Sequence, residues 1–268
     1  MVKKRYKEAG GYLAATFAIT WVIWLGAYAA STPACTLPLS TDWLVRLGTM
    51  VPSAAGLVMT RIYDGTEGVK ALLRALIRCK ASLVWWVYAT ALFPLILLVS
   101  SAVFLVAGGI LPQAQFPPWF IPVAFLYILV FMGPLGEELG WRGFLLGRLI
   151  QRQRLVRAGG VLGIIWSAWH IPLFFIPGTI QFELAKMGFT LACAGYCIYT
   201  VCISLLIAVL YARTKGNLLL CMIFHTVCNL SLGIVPLILE RSGAAVLLAV
   251  LILSTALIVK RNGEKRMG

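Results

Sequence analysis

Apolar residues run along this chain in long unbroken blocks, without the alternation or the one-sided helical stripe of a soluble domain. The blocks lie at about 10–30, 43–61, 83–108, 119–147, 160–177, 187–212, 217–239 and 243–259. A bilayer-crossing helix needs ~20 predominantly apolar residues, so the pattern predicts an all-α polytopic membrane protein of about eight transmembrane helices. The fourth block is interrupted at Gly133-Pro134-Leu135-Gly136, where a break or bend is expected. Thr66–Lys80 is too short and too charged to span. Lys70, Arg74 and Arg78 recur every four residues there, with Val69, Leu72, Leu73 and Leu76 largely opposite, which predicts one amphipathic helix lying in the membrane interface. Neither a repeat nor a linker divides the chain, and 1–268 reads as a single domain. Met1–Gly11 is basic and runs into the first apolar block with no small-residue cleavage site, so that block is expected to be a retained first span.

Composition agrees and excludes the alternatives. Of 268 residues 61% are hydrophobic and 12% charged, with a mean hydropathy of +0.92, against roughly 25% charged in a soluble domain. A soluble enzyme, a disordered chain and a secreted disulfide scaffold are ruled out. The net charge of +14 would suit nucleic acid, but its placement points elsewhere. With the N-terminus in the cytoplasm, nineteen of the 23 Lys and Arg fall on inner segments, from Lys3, Lys4, Arg5 and Lys7 at one end to Lys260, Arg261, Lys265 and Arg266 at the other. The outer loops hold only Lys186 and Arg241, while Arg46 lies near an outer end and Arg142 inside a span. That bias orients both termini to the cytoplasm of a plasma (inner) membrane, with the lipid bilayer as partner and no nucleic acid. The seven cysteines are odd in number and mostly apolar in context, so they read as small buried hydrophobes. Cys193 and Cys197 share a helix face but have no His at zinc spacing.

Against this background a few polar side chains stand out. A charge at the bilayer centre costs ~2.5–3.5 kcal/mol on insertion scales and usually marks a site. The spans hold Glu137, Glu138, Arg142, His170, His225 and Asn229, including both histidines of the chain. Glu137 precedes Arg148 by 11 residues, His170 follows Arg157 by 13 and His225 follows Lys215 by 10. At 1.5 Å per residue all three sit roughly 15–20 Å from the inner basic flank, so three helices can present polar groups to one cavity. Glu138 and Arg142 are spaced i, i+4 and can neutralise each other, leaving Glu137 about 100° around the helix to face the cavity. His225 and Asn229 are also i, i+4, and Trp166 and Phe174 are placed one turn either side of His170. Two chemistries suit this set. One is hydrolysis by water activated by Glu and His, with His and Asn stabilising an oxyanion. The other is a divalent metal such as zinc on Glu137, His170 and His225.

The motifs themselves add a resemblance. Gly136-Glu137-Glu138-Leu139-Gly140-Trp141-Arg142-Gly143 matches a Glu-Glu-x-x-x-Arg pattern, Trp166 to His170 an aromatic-x-x-x-His pattern, and His225 to Asn229 a His-x-x-x-Asn pattern. In this order, within about 119–240, they resemble the CPBP (Abi) intramembrane proteases, which include the type II CAAX prenyl endopeptidases. Trp166 departs from the Phe that many members carry. The resemblance implies Glu137 as the base that activates water, His170 sharing that water, and His225 with Asn229 as the oxyanion hole. Glu138 with Arg142 would brace the helix. Two carboxylates and an arginine crowd the site and Asn is a poor zinc ligand, which favours glutamate chemistry with no cofactor; the resemblance implies a substrate that is a peptide or lipidated peptide, either CAAX-type prenylated or bacteriocin-like. The competing expectation is a proton-coupled transporter using Glu137 and His170 as a relay. Oligomeric state has no signal in the sequence.

Overall fold

The computed structural model describes residues 2–32 and 38–262, with side chains from residue 7 onward. Lys3, Lys4, Arg5, Cys35, Lys265 and Arg266 lie outside those described side chains. The chain folds into α1 (Val2–Ala30), α2 (Thr41–Leu76), α3 (Leu83–Val106), α4 (Ile121–Phe131), α5 (Pro134–Glu138), a π-helical stretch (Leu139–Leu146), α6 (Gly147–Leu149), α7 (Leu155–Trp169), α8 (Ile180–Ala185), α9 (Phe189–Arg213), α10 (Leu218–Ile234) and α11 (Arg241–Asn262). There is no strand among the described residues, and the all-α class is as the pattern requires. Six helices there are long and apolar enough to cross a membrane. Two of the expected blocks fall short of that: α10 has 17 residues, and α2 is long but punctuated by Asp42, Arg46, Ser53 and Thr60.

The expected interruption is present. α4 ends at Phe131, Gly133 takes φ 118°, a conformation that L side chains rarely adopt, and Pro134 opens α5 at a position where its missing N–H costs nothing. The interfacial helix is shorter than the charge pattern suggests. α2 bends at Gly65 (φ 71°) and ends at Leu76. Beyond it Arg78 donates to the Lys215 carbonyl at 2.9 Å, and Asn217 donates to the Arg78 carbonyl at 2.8 Å, so this segment is tied to the turn before α10 and cannot continue as helix to Lys80. Lys70 and Arg74 are exposed, whereas Leu72 is buried against Leu139 and Leu218.

Close helix contacts set the position of the polar residues. α5 and the π stretch lie on α2, where a Cβ at Gly136 would come 2.4 Å from the Thr49 carbonyl and one at Gly140 2.1 Å from the Pro52 carbonyl. Only residues without side chains allow this approach, the usual device for packing helices in lipid. The Ser53 hydroxyl donates to the Leu135 carbonyl at 2.8 Å, satisfying a backbone group beside the break. α7 packs on α9, where the Ser204 hydroxyl donates to the Gly159 carbonyl at 2.9 Å. Tyr12, Trp24, Trp141, Phe144 and Trp169 fill the core between these layers.

Candidate active site

The backbone break at Gly133 delivers two successive carboxylates to different surroundings. Glu138 points to α10: its Oε1 accepts from Arg142 Nη1 at 2.8 Å and from His225 Nδ1 at 2.8 Å. The i, i+4 pair expected from sequence is therefore formed, and its side chains are fully buried. Glu137 points to α7, where Trp166 Nε1 donates to its Oε2 at 2.5 Å. Its Oε1 borders the break, since a Cβ placed on Gly133 would lie 2.7 Å from that oxygen and 3.6 Å from His225 Cε1. Glu137 and His225 thus flank the same point of the chain.

His170 sits where α7 ends and a 3-10 turn (Ile171–Phe175) begins. Its Nδ1 lies 2.7 Å from the Trp166 carbonyl. A carbonyl only accepts, so Nδ1 carries a proton, and in the neutral ring Nε2 keeps its lone pair. Trp166 stands between both imidazoles, edge-on to His225 at 5.2 Å and to His170 at 5.7 Å between ring centroids. The Arg142 guanidinium lies over the same indole, 4.5 Å from its centroid. Asn229, one turn beyond His225, donates from Nδ2 to the Met132 carbonyl at 3.3 Å, at the end of α4.

The structure brings together Glu137, Glu138, Arg142 and His225, with His170 one ring away and Asn229 at the edge. Nothing in linear spacing marks the rest of the surroundings. His170 is enclosed by Trp169 (4.7 Å), Tyr196 (5.2 Å) and Trp24 (6.5 Å), and Gln181 Nε2 holds the Tyr196 hydroxyl at 2.9 Å. Phe174 does not frame His170 as the spacing predicts. The helix tightens after Trp169, which rotates Phe174 onto Phe189 and Tyr196.

Among the described residues no three His, Cys, Asp or Glu side chains converge as they must to hold an ion. Glu137, His170 and His225 are interleaved with the Trp166 indole, and the cation that faces the carboxylates is Arg142.

Residues 117–231 match the family model of type II CAAX prenyl endopeptidase Rce1-like proteins. That segment contains all six polar residues of the site. The chain is also 27% identical over 229 residues to a CAAX prenyl protease 2 of Methanococcus maripaludis, the match covering 82% of each chain. The likeness first carried by three short motifs therefore extends along most of the chain.

Proposed function

We propose that this chain, similar along α4 to α10 to the type II CAAX prenyl endopeptidases, is an intramembrane endopeptidase whose Glu137 activates water. The observation that carries the reading is the division of labour between neighbouring carboxylates. Glu138 is occupied by Arg142 and His225, whereas Glu137 is held by one oxygen only and has no hydrogen bond on Oε1 among the described residues.

Glu137 Oε1 takes a proton from water as its oxygen attacks the scissile carbonyl carbon, and the Nε2 lone pair of His170 orients the same water. The oxyanion is met by His225 Nε2–H and Asn229 Nδ2–H, the latter leaving the Met132 carbonyl. Glu138 holds His225 through Nδ1, which leaves Nε2 to face the oxyanion. Glu137 passes its proton to the departing amine as the C–N bond breaks, leaving a carboxylate and an amine. No step passes through a metal.

The substrate class is a prenylated peptide, its lipid entering sideways from the bilayer, with both termini of the protein in the cytoplasm as the basic loops direct. The test is cleavage of a fluorogenic prenylated peptide and its unprenylated twin by detergent-purified protein, with and without chelator. Cleavage of the lipidated peptide that survives chelation is expected, and Glu137→Ala, His170→Ala and His225→Ala should abolish it. Normal turnover by all three variants would refute the assignment. A proton-coupled carrier has only the interrupted helix in its favour, and Glu137-dependent uptake into proteoliposomes without peptide cleavage would establish it instead.

A further inference from the structure

The two carboxylates of the site are one residue apart, and the Arg142 guanidinium bonds to Glu138, so something must keep them distinct. Glu138 is pinned by its own helix, through Arg142 one turn on. Glu137 has no such support. It lies in the first turn of a five-residue helix that starts at the break, so the preceding turn that would carry a partner does not exist. Its side chain has three rotatable bonds, and freezing a Glu costs ~1.5–2 kcal/mol of rotamer freedom.

We infer that Trp166 is the positioning residue of the site, its indole N–H fixing Glu137 for attack and its ring holding Arg142 on Glu138. This rests on the hydrolase reading. A single donor on Oε2, at 2.5 Å, sets the plane of the carboxylate and directs Oε1 towards the break beside His225. The ring face lies under the Arg142 guanidinium at 4.5 Å, so the cation stays on the Glu138 side. The same ring makes T-shaped contacts with both imidazoles, and the Trp166 carbonyl accepts from His170 Nδ1. One residue thus touches Glu137, Arg142, His170 and His225. A phenyl ring at this position would retain the stacking but could not donate, and Arg142 would be drawn to the released Glu137.

The test pairs kinetics with a readout that needs no activity. Trp166→Phe should lower kcat by about 100-fold per folded molecule, the lower end of the range for one aligned acid–base group, with KM changed less than about twofold because the indole meets Glu137 and no substrate atom. In the full chain labelled with 15N-tryptophan, the Trp166 indole N–H resonance is identified by its loss in Trp166→Phe, or in Trp166→Tyr if the phenyl variant does not fold. In Glu137→Gln that resonance should move upfield, because a neutral amide is a weaker acceptor than a carboxylate. A Trp166 resonance unmoved by Glu137→Gln in a protein that cleaves peptide overturns the inference and leaves the hydrolase reading intact. A resonance that moves in a protein inert towards all peptides overturns the hydrolase reading, and the catalytic half of the inference with it. A fall in KM and kcat together, with the resonance unmoved, marks Trp166 as packing alone and also overturns it.

Discussion

Replacing Arg142 by Met keeps most of the stem volume and deletes the guanidinium, so it isolates what the charge does. The partner, Glu138, has a side chain with no exposure to solvent and a hydrogen bond of 2.8 Å to Arg142. Two magnitudes compete. If the pair behaved as an ordinary intramembrane hydrogen bond, its loss would cost about 0.6–1.7 kcal/mol. If Glu138 is left as a buried uncompensated charge, the cost is about 3–5 kcal/mol. The geometry favours the larger figure, because Glu138 Oε2 and the Nε and Nη2 of Arg142 already lack hydrogen-bond partners among the described residues. At roughly 2–4 °C per kcal/mol for a chain of this size, Arg142→Met should melt about 6–20 °C below the parent. Thermal unfolding in detergent, followed by tryptophan fluorescence, measures it. The double variant Glu138→Gln/Arg142→Met should regain most of the loss, since neither charge remains. It should stay slow in peptide cleavage, because a neutral amide at position 138 accepts from His225 Nδ1 more weakly than the carboxylate does. A single variant melting within about 2 °C of the parent, or a double variant no better than the single, would show that the pair is not the electrostatic anchor of the site.

Other positions give independent checks. Gly133→Ala places a Cβ 2.7 Å from Glu137 Oε1 at φ 118°, so cleavage should be lost together with about 1–3 kcal/mol of stability; wild-type turnover would contradict the site geometry. Arg148 bridges buried Glu8 at 3.0 Å and half-exposed Asp64 at 2.8 Å. Arg148→Gln should therefore cost about 1–3 kcal/mol or more, and Asp64→Asn less than about 1 kcal/mol; equal melting temperatures for the two variants would refute that ranking. Gly140→Ala should give poorly folded protein, seen as rapid limited proteolysis, since the Pro52 carbonyl and the Tyr12 hydroxyl occupy the space. At the start of α11 the Gly243 N–H and Ser242 hydroxyl donate to Glu240 and hold its carboxyl below the usual range. Its contribution is present above the ordinary carboxylate pKa and is lost as pH falls through the lowered one, so Glu240→Gln should flatten the acid side of the melting curve against pH; parallel curves would count against it.

Much of the site is legible without coordinates because helices in lipid advertise their polar residues. The common depth of Glu137, His170 and His225, the Glu138–Arg142 spacing and the break at Gly133 all follow from counting residues along apolar blocks. What is not legible depends on tertiary contact. The π stretch from Leu139 to Leu146 has no signature in local propensity, and it forms where Gly140 is pressed against α2. The division of Glu137 to Trp166 and of Glu138 to His225 needs two other helices to be placed first. An α-helical register carried through His170 misplaces Phe174, because the backbone tightens there. Charge periodicity likewise overextends the interfacial segment: it continues past Leu76, while Asn217 and Lys215 capture the chain at Arg78.

The bridge from Arg148 to Glu8 joins residues 140 positions apart. During synthesis the carboxylate of Glu8 emerges early, and its cation is translated only after half the chain has been made. Until then the acid of the first helix lacks the cation it is finally buried against, although that helix already has α2 to pack on. Biogenesis of this protein accordingly includes a late closure: the earliest helix gains this tie only when a much later segment arrives beside it.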